Sequence, residues 1–285
     1  MFQFGRLKWA LRKVLLPLRM NDLVLDVGSG GNPNPRSDVL MDRLIGAEHR
    51  GGAPILIDRP TVFGDATKLP FKDKAFDFVI ASHILEHMSD PSSFLNELQR
   101  VGKAGYIETP NFIFERLNPF DIHCLEIAAI NGVLHIHKKR KHIEDSFIGN
   151  LSFLELNSEW KNLLCRRPEL FHVRFFWKDK IKYQIHNPNI STNWIEDILD
   201  KSNTDQATHG YLSTSIEFRR VGLALLANWF RQLRKYRLKN FDLNSILVCP
   251  ECKGKLDRNR KSLRCEVCSL AWTANPHPNF SERIG

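Results

Sequence analysis

No apolar run in this chain of 285 residues approaches the roughly 20 residues that a membrane-spanning helix requires. The first 20 residues, MFQFGRLKWALRKVLLPLRM, lack the unbroken apolar stretch and small-residue cleavage site of a secretory signal, and instead interleave five basic residues with apolar ones. A cytoplasmic location is therefore expected. The chain has no internal repeat and no low-complexity tract. Its 42% apolar and 26% charged residues are ordinary globular composition, which argues against collagen-like, coiled-coil and wholly disordered chains. The length suits one large domain, or a domain with a small appendage.

Acidic charge is short of balance: 41 basic residues face 32 acidic ones, a net charge of +9. The imbalance is local. Residues 1–115 carry 14 of each sign, whereas residues 116–240 carry 20 basic and 13 acidic. A basic middle suits an anionic partner, whether nucleic acid, a phosphorylated sugar or a lipid surface. The run LHIHKKRKH (134–142), the N-terminal 20 residues and a basic amphipathic stretch near 220–239 are the segments that could make such contacts. Their plainer reading is a solvated loop and two helices covering a sheet.

Short apolar runs mark the strands. LVLDV (23–27), DVLMD (38–42), TVFGD (61–65), FDFVIAS (76–82) and YIETP (106–110) are each bounded by turn residues. Asp90-Pro91 reads as a helix start, with Phe94, Leu95, Leu98 and Val101 at helical spacing and Gly102 and Gly105 after them. Strands alternating with crossover segments, and apolar without alternation, indicate a parallel sheet buried on both faces. Asn131-Gly132 predicts a hairpin, and residues 173–186 predict a second, turning at Lys178-Asp179-Lys180. Residues 153–165 and about 220–239 are expected to be helical. In the second, Leu226, Trp229, Phe230, Leu233 and Tyr236 form the apolar side, opposite Arg231, Arg234, Lys235, Arg237 and Lys239.

In open parallel sheets, ligands sit beyond the carboxyl ends of the strands. Asp26, Asp42, Asp65, His83 and Glu108 all fall at or just past such ends. The loop DVGSGG (26–31) follows the first strand and is expected to lead into a helix. Its glycines let the backbone approach a ligand without an intervening Cβ. Asp42 could accept hydrogen bonds from ribose hydroxyls, with Asp58 as a rival, and Asp65 one from an adenine amino group. Such an acidic set would repel a pyrophosphate and suits a cationic nucleoside.

The segments VLDVGSGG and GDATKLPFKDKAFDFVIASHILEHMSDPSSFLNELQRVGKAGYIETPN resemble a class I S-adenosylmethionine-dependent methyltransferase of the type 11 kind, over about residues 21–112. The resemblance implies a Rossmann-like α/β fold: a mostly parallel seven-stranded sheet with helices on both faces. It further implies that Asp26, Gly28, Ser29 and Gly30 line the methionine end of the cofactor. Asp42 would bind the ribose, Asp65 and Ala66 the adenine, and Ser82 and His83 would lie near the sulfonium. The loop departs from the family pattern in having Asn32 after Gly31.

Methyl transfer needs nucleophile, carbon and sulfur in line, and a hydroxyl acceptor must also lose a proton. His83 is the best-placed catalytic candidate, followed by His87 and Glu108; His123, His135 and His137 are outside candidates. The sequence after the fourth strand, ASHILEH, lacks the N/D-P-P-Y/F segment of amino-methylating DNA enzymes, and no cysteine ends strands four or five.

Four of the six cysteines form two C-x-x-C pairs, Cys249/Cys252 and Cys265/Cys268, separated by 12 residues. That spacing is a four-thiolate structural zinc site, with a redox disulfide pair as the alternative. Cys124 and Cys165 are isolated and expected to be buried small hydrophobes. The segment ILVCPECKGKL…LRCEVCSLAW resembles the zinc ribbon of the small activator protein that partners tRNA and protein methyltransferases. The expected organisation is a basic N-terminal segment (1–20), a methyltransferase domain (21–240, with its cofactor half at 21–115 and an acceptor-shaping part at 116–240) and a zinc ribbon (241–285). The leading expectation is methyl transfer to oxygen or carbon of a small molecule, such as a sugar or lipid-linked intermediate. An RNA or protein methyltransferase and a non-catalytic cofactor-binding scaffold are the alternatives. Peripheral membrane contact and oligomeric state stay open.

Overall fold

The apolar runs build one twisted sheet in the computed structural model, which describes residues 9, 11–43, 54–140, 158–201, 217–259 and 261–284. Strands β1 (Val24–Val27), β2 (Val39–Asp42), β3 (Thr61–Phe63), β4 (Phe76–Ser82) and β5 (Gly102–Pro110) lie in the order β3-β2-β1-β4-β5, all parallel. A sixth strand, β8 (His172–Lys178), adds antiparallel beside β5. Among the described residues, the first 240 thus supply six strands to this sheet, against the expected seven.

The other strands of that region, β6 (Leu125–Ile130), β7 (Val133–Lys138) and β9 (Tyr183–Ile185), form a separate three-stranded sheet. The Asn131-Gly132 hairpin is present, with both residues at positive φ (52° and 75°). The second expected hairpin is not. β8 joins the main sheet while β9 runs parallel to β7, because Asp179 at φ 60° redirects the chain after a single bridge between Lys178 and Lys180.

Period-two alternation sorts side chains to the two faces. Leu25, Val27, Val79, Ala81 and Ile107 enter the main core with helix α1 (Pro91–Val101), which buries Phe94, Leu95, Leu98 and Val101. Asp90 caps α1 by accepting the Ser93 amide, and Pro91 occupies the first helical position. β5 starts at Gly102, directly after α1, so Gly102 and Gly105 lie in the strand. A Cβ on Gly105 would stand 2.6 Å from the Trp177 indole and 2.5 Å from the Val79 carbonyl oxygen. On the opposite face Val24, Phe78, Ile80 and Tyr106 are covered by Leu16 and Leu18 from the N-terminal segment.

Further helices among the described residues are α2 (Phe112–Leu117), α3 (Ser158–Arg166), α4 (Trp194–Lys201) and α5 (Glu217–Arg237). The expected helix after the glycine loop is absent: residues 28–38 cross from β1 to β2 without one. The end of α5 and the N-terminal segment support that crossing instead. Arg234 donates to the Ser37 and Pro35 carbonyls (2.8 and 2.9 Å), Arg237 pairs with Asp38 (3.0 Å), and Arg36 donates to the Val14, Leu16 and Leu18 carbonyls. α5 therefore packs by a mixed edge in which Arg234 and Arg237 lie beside half-buried Phe230 and Leu233, so the expected apolar side is covered only in part: Arg234 is 5% exposed, whereas Trp229 is 52% and Tyr236 83% exposed. A loop rich in unpaired carbonyls demands donors more than it demands apolar cover.

At the C-terminus β10 (Leu256–Arg258), β11 (Ser262–Cys265), β12 (Ala271–Thr273) and β13 (Asn279–Ile284) form an antiparallel meander. β13 pairs with the outer edge of β3 through Asn279 and Phe63, and the Phe63 amide donates to the Pro278 carbonyl (2.8 Å). The result is one ten-stranded sheet. No described helix is long and apolar enough to cross a membrane. The expected helix at 153–165 is described from Ser158 onward, and the basic residues Lys141 and His142 lie outside the described part.

Candidate functional site

The carboxyl ends of β1, β2 and β4 open into a cleft of about 670 Å³, a size that suits a nucleoside-sized ligand. Gly28, Ser29, Gly30, Asp42, Asp65, Ala66, Ser82, His83 and His87 all line it. Two glycines shape its floor: Gly28 at φ 70° and Gly30 at φ 54°. A Cβ at Gly28 would also stand 2.8 Å from the Ile84 side chain. The loop is fastened to β2, since the Gly28 amide donates to the Met41 carbonyl (2.8 Å) and the Gly30 amide to the Asp42 carboxylate (2.9 Å). Asp65 accepts from the amide and hydroxyl of Thr67 (2.8 Å each), which holds the turn after β3.

Asp26 is not on the cleft wall. Its carboxylate lies under the loop, 3% exposed, and accepts the Asn34 amide (2.7 Å). Burial raises its pKa to about 6, against the partial opposition of that hydrogen bond and of Lys13. Lys13 does line the cleft, and its ammonium donates to the Asn32 carbonyl (3.2 Å). Burial lowers its pKa while Asp26 raises it. Nothing in the N-terminal sequence singles Lys13 out from its basic neighbours. Asp58, the rival ribose residue, is paired with Arg59 and Arg231 and is not on the cleft wall.

At the opposite end His83 leaves β4 in a left-handed conformation (φ 56°), with its amide on the Glu108 carbonyl (2.8 Å). Its ring spans two carboxylates: Nδ1 lies 3.4 Å from Glu86 and Nε2 3.4 Å from Glu108. Its side chain is 43% exposed. Enclosure disfavours the charged ring, but Glu108 and Glu86 outweigh it and hold the pKa up at about 9. His83 is thus an imidazolium at neutral pH rather than a ready base. Glu108 does not reach the cleft as an open carboxylate. Arg12 grips both its oxygens (2.7 and 2.8 Å) and the Tyr106 hydroxyl donates to it; despite burial, the His83 ring, then Arg12 and Tyr106, hold its pKa far below the usual carboxylate range. Its place is behind the His83 ring. The Arg12 contact joins residues 96 apart and leaves no local sequence signal.

His87 differs from His83. Its Nδ1 lies 2.6 Å from the Ile122 carbonyl, and burial together with the neighbouring His123 lowers its pKa to about 4. His123 is buried, with Nδ1 2.6 Å from Glu115. His135 and His137 are elsewhere: His135 pairs with His186 (2.9 Å) and His137 lies 3.5 Å from Glu126.

In the C-terminal segment the four cysteine sulfurs converge, with Sγ–Sγ distances of 3.6 Å (Cys249–Cys268) and 3.4 Å (Cys252–Cys265). Each C-x-x-C turn closes on a left-handed residue, Lys253 (φ 58°) and Ser269 (φ 60°). The amides of Val267 and Cys268 point at Cys265 Sγ (3.4 Å each). Converging sulfurs with amides directed at them fit a four-thiolate zinc ion. Cys124, as expected, is a buried thiol, its pKa raised by burial to about 12.

Comparison with known proteins agrees with this geometry. Residues 44–107 match the methyltransferase domain family, and residues 240–272 match the Trm112p-like protein family. The chain is 52% identical over 46 residues to a demethylmenaquinone methyltransferase of Streptomyces avermitilis, which is 16% of this chain and 20% of that protein. It is 43% identical over 42 residues to an ajmaline N-methyltransferase of Rauvolfia serpentina, 15% of this chain and 14% of that protein. The chain therefore spans only a fifth or less of the length of these relatives. Among solved structures, a complex between the Haloferax volcanii Trm112 methyltransferase activator and a methyltransferase aligns with 62% of this chain and 90% of that one, at 16% identity and a TM-score of 0.40. The chain carries a methyltransferase domain, joined at its C-terminal end to a Trm112p-like cysteine ribbon.

Proposed function

We propose that the protein is an S-adenosylmethionine-dependent methyltransferase acting on oxygen or carbon of a small-molecule acceptor, such as a sugar or lipid-linked intermediate. The observation that carries this reading is the polarity of the cleft. One end is a glycine floor flanked by Asp42, Asp65 and Lys13, and the other presents His83 and His87. The bare backbone at Gly28 and Gly30 can approach a nucleoside closely. Asp42 would take the ribose hydroxyls, Asp65 and Ala66 the adenine, and Lys13 the methionine carboxylate, while buried Asp26 supplies negative field beneath the cofactor's cationic end. S-adenosylmethionine supplies the activated methyl group.

The chain's own work is then alignment and exclusion of water. Ser82 and His83 would border the acceptor, and Glu108, locked by Arg12, would fix the His83 ring. Replacing His83 by Ala should lower turnover more than cofactor affinity; equal loss of both would make the residue structural. The ribbon is proposed to hold structural zinc, since four thiolates leave no open position for catalysis. A cytoplasmic location is part of the same reading.

RNA or protein methylation is the alternative that the Trm112p-like segment favours. Against it, much of the basic surplus is spent internally, on Lys139–Glu115, Arg231–Asp58, Arg234 and Arg237. The deciding experiment incubates the protein with methyl-labelled S-adenosylmethionine and fractionated cell extract. Label in a small organic-soluble or sugar fraction supports the proposal. Label in RNA or protein, with steeply salt-dependent binding, would replace it.

A further inference from the structure

Glu86, His87 and His123 each offer one ligand atom, and these atoms lie within 4.8 Å of one another. Glu86 is 2% exposed. One of its oxygens accepts the Thr109 hydroxyl (2.9 Å), but the other, Oε1, is buried without a hydrogen-bond partner. His83 Nδ1 stands 3.4 Å away as an ion-pair partner, on one side of this oxygen and without an aligned hydrogen bond. A buried carboxylate oxygen left unsatisfied is costly and needs a reason.

Both imidazoles are oriented from behind. His87 Nδ1 is on the Ile122 carbonyl and His123 Nδ1 on the Glu115 carboxylate, each at 2.6 Å. Glu115 is in turn held by Lys139. These contacts leave Nε2 of each ring as the available donor. A histidine whose other nitrogen is fixed by a carbonyl or a carboxylate is the usual arrangement of a metal-bound imidazole. Two histidines and one carboxylate form a donor set for a divalent ion of borderline softness.

We propose that Glu86, His87 and His123 bind a divalent metal ion of the Co2+ or Zn2+ kind, separately from the cysteine ribbon. Glu86 Oε1 is the oxygen ligand, and Glu115 and the Ile122 carbonyl are the outer groups that orient the rings. Of the three ligands only His87 lines the cleft, so the ion is approached from the cleft side. An acceptor oxygen could complete its coordination there, a clause that rests on the methyl-transfer reading, whereas the metal site itself does not.

The test uses Co2+ added to the full-length, zinc-loaded protein without cofactor. One further equivalent should bind, with weak visible absorption and no thiolate charge-transfer band. Glu86→Gln and His123→Ala should abolish that binding, and Glu115→Gln should weaken it about 10- to 100-fold, each with its melting transition recorded to show folding. Should Glu86→Gln fail to fold, Glu115→Gln and the wild-type stoichiometry still decide the matter. No equivalent beyond the ribbon, a cobalt spectrum of thiolate type alone, or binding indifferent to these substitutions would overturn the proposal. Cobalt bound as described in a protein that transfers no methyl group would uphold the site and reject the methyltransferase reading.

Discussion

At the scale of single residues, function and stability pull against each other most clearly at Asp26. Its pKa is near 6 in the folded chain against 3.8 for the free side chain. The folded state therefore holds the proton more tightly, and the stabilising contribution, complete below about pH 4, is lost as pH rises through 6. The difference amounts to about 3 kcal/mol. Asp26→Asn should thus gain in melting temperature relative to wild type between pH 4.5 and 7.5, while binding a cationic nucleoside less well. A melting difference that stays constant over that range would contradict the burial argument. Asp42→Ala should weaken cofactor binding about 10- to 100-fold by calorimetry, the worth of hydrogen bonds to a charged group; unchanged affinity would remove Asp42 from the ribose role. The strand-end acids were legible in the sequence because each closes an apolar run. What Asp26, Glu108 and Glu86 do was not, because it depends on partners such as Arg12 and Asn34 that no periodicity reveals.

At the scale of elements, local signals held where chemistry is local. Asp90-Pro91 starts α1, Asn131-Gly132 turns the hairpin, and FDFVIAS is β4 from end to end. They failed where a long-range contact decides. The Lys178-Asp179-Lys180 turn separates two sheets because β5 and β7 each capture one of the flanking strands. The amphipathic pattern of α5 suggested an apolar buried side, but the helix-free crossing at 28–38 leaves carbonyls that Arg234 satisfies together with Arg59. Arg234→Leu should therefore destabilise the protein by about 2–3 kcal/mol, the loss of one buried and one part-buried charge-assisted hydrogen bond. It should also expose α5 to limited proteolysis. An unchanged denaturation midpoint would show that the apolar side carries the packing after all. Gly28→Ala should cost about 1–2 kcal/mol from its left-handed backbone alone, with loss of cofactor binding as Ile84 is displaced; an unaltered melting curve would contradict that strain.

At the scale of the whole molecule, the ribbon is not an appendage on a string. β13 extends the sheet beyond β3, and Val248 and Ile246 are tied by backbone hydrogen bonds to Pro70 and Lys72. Loss of the proposed zinc should therefore be felt in both parts. Chelation of the ribbon, or Cys252→Ser, should abolish hydrogen-exchange protection in β10–β13 and reduce it in β3; protection that survives zinc removal would mean the ribbon folds on its apolar core alone. The central claim concerns the cleft that this sheet supports, and isothermal titration with S-adenosylmethionine and S-adenosylhomocysteine tests it most directly. Saturable heat at one site per chain, with none from a pyridine dinucleotide, is the predicted result. Heat from the dinucleotide and silence from both sulfur nucleosides would contradict it.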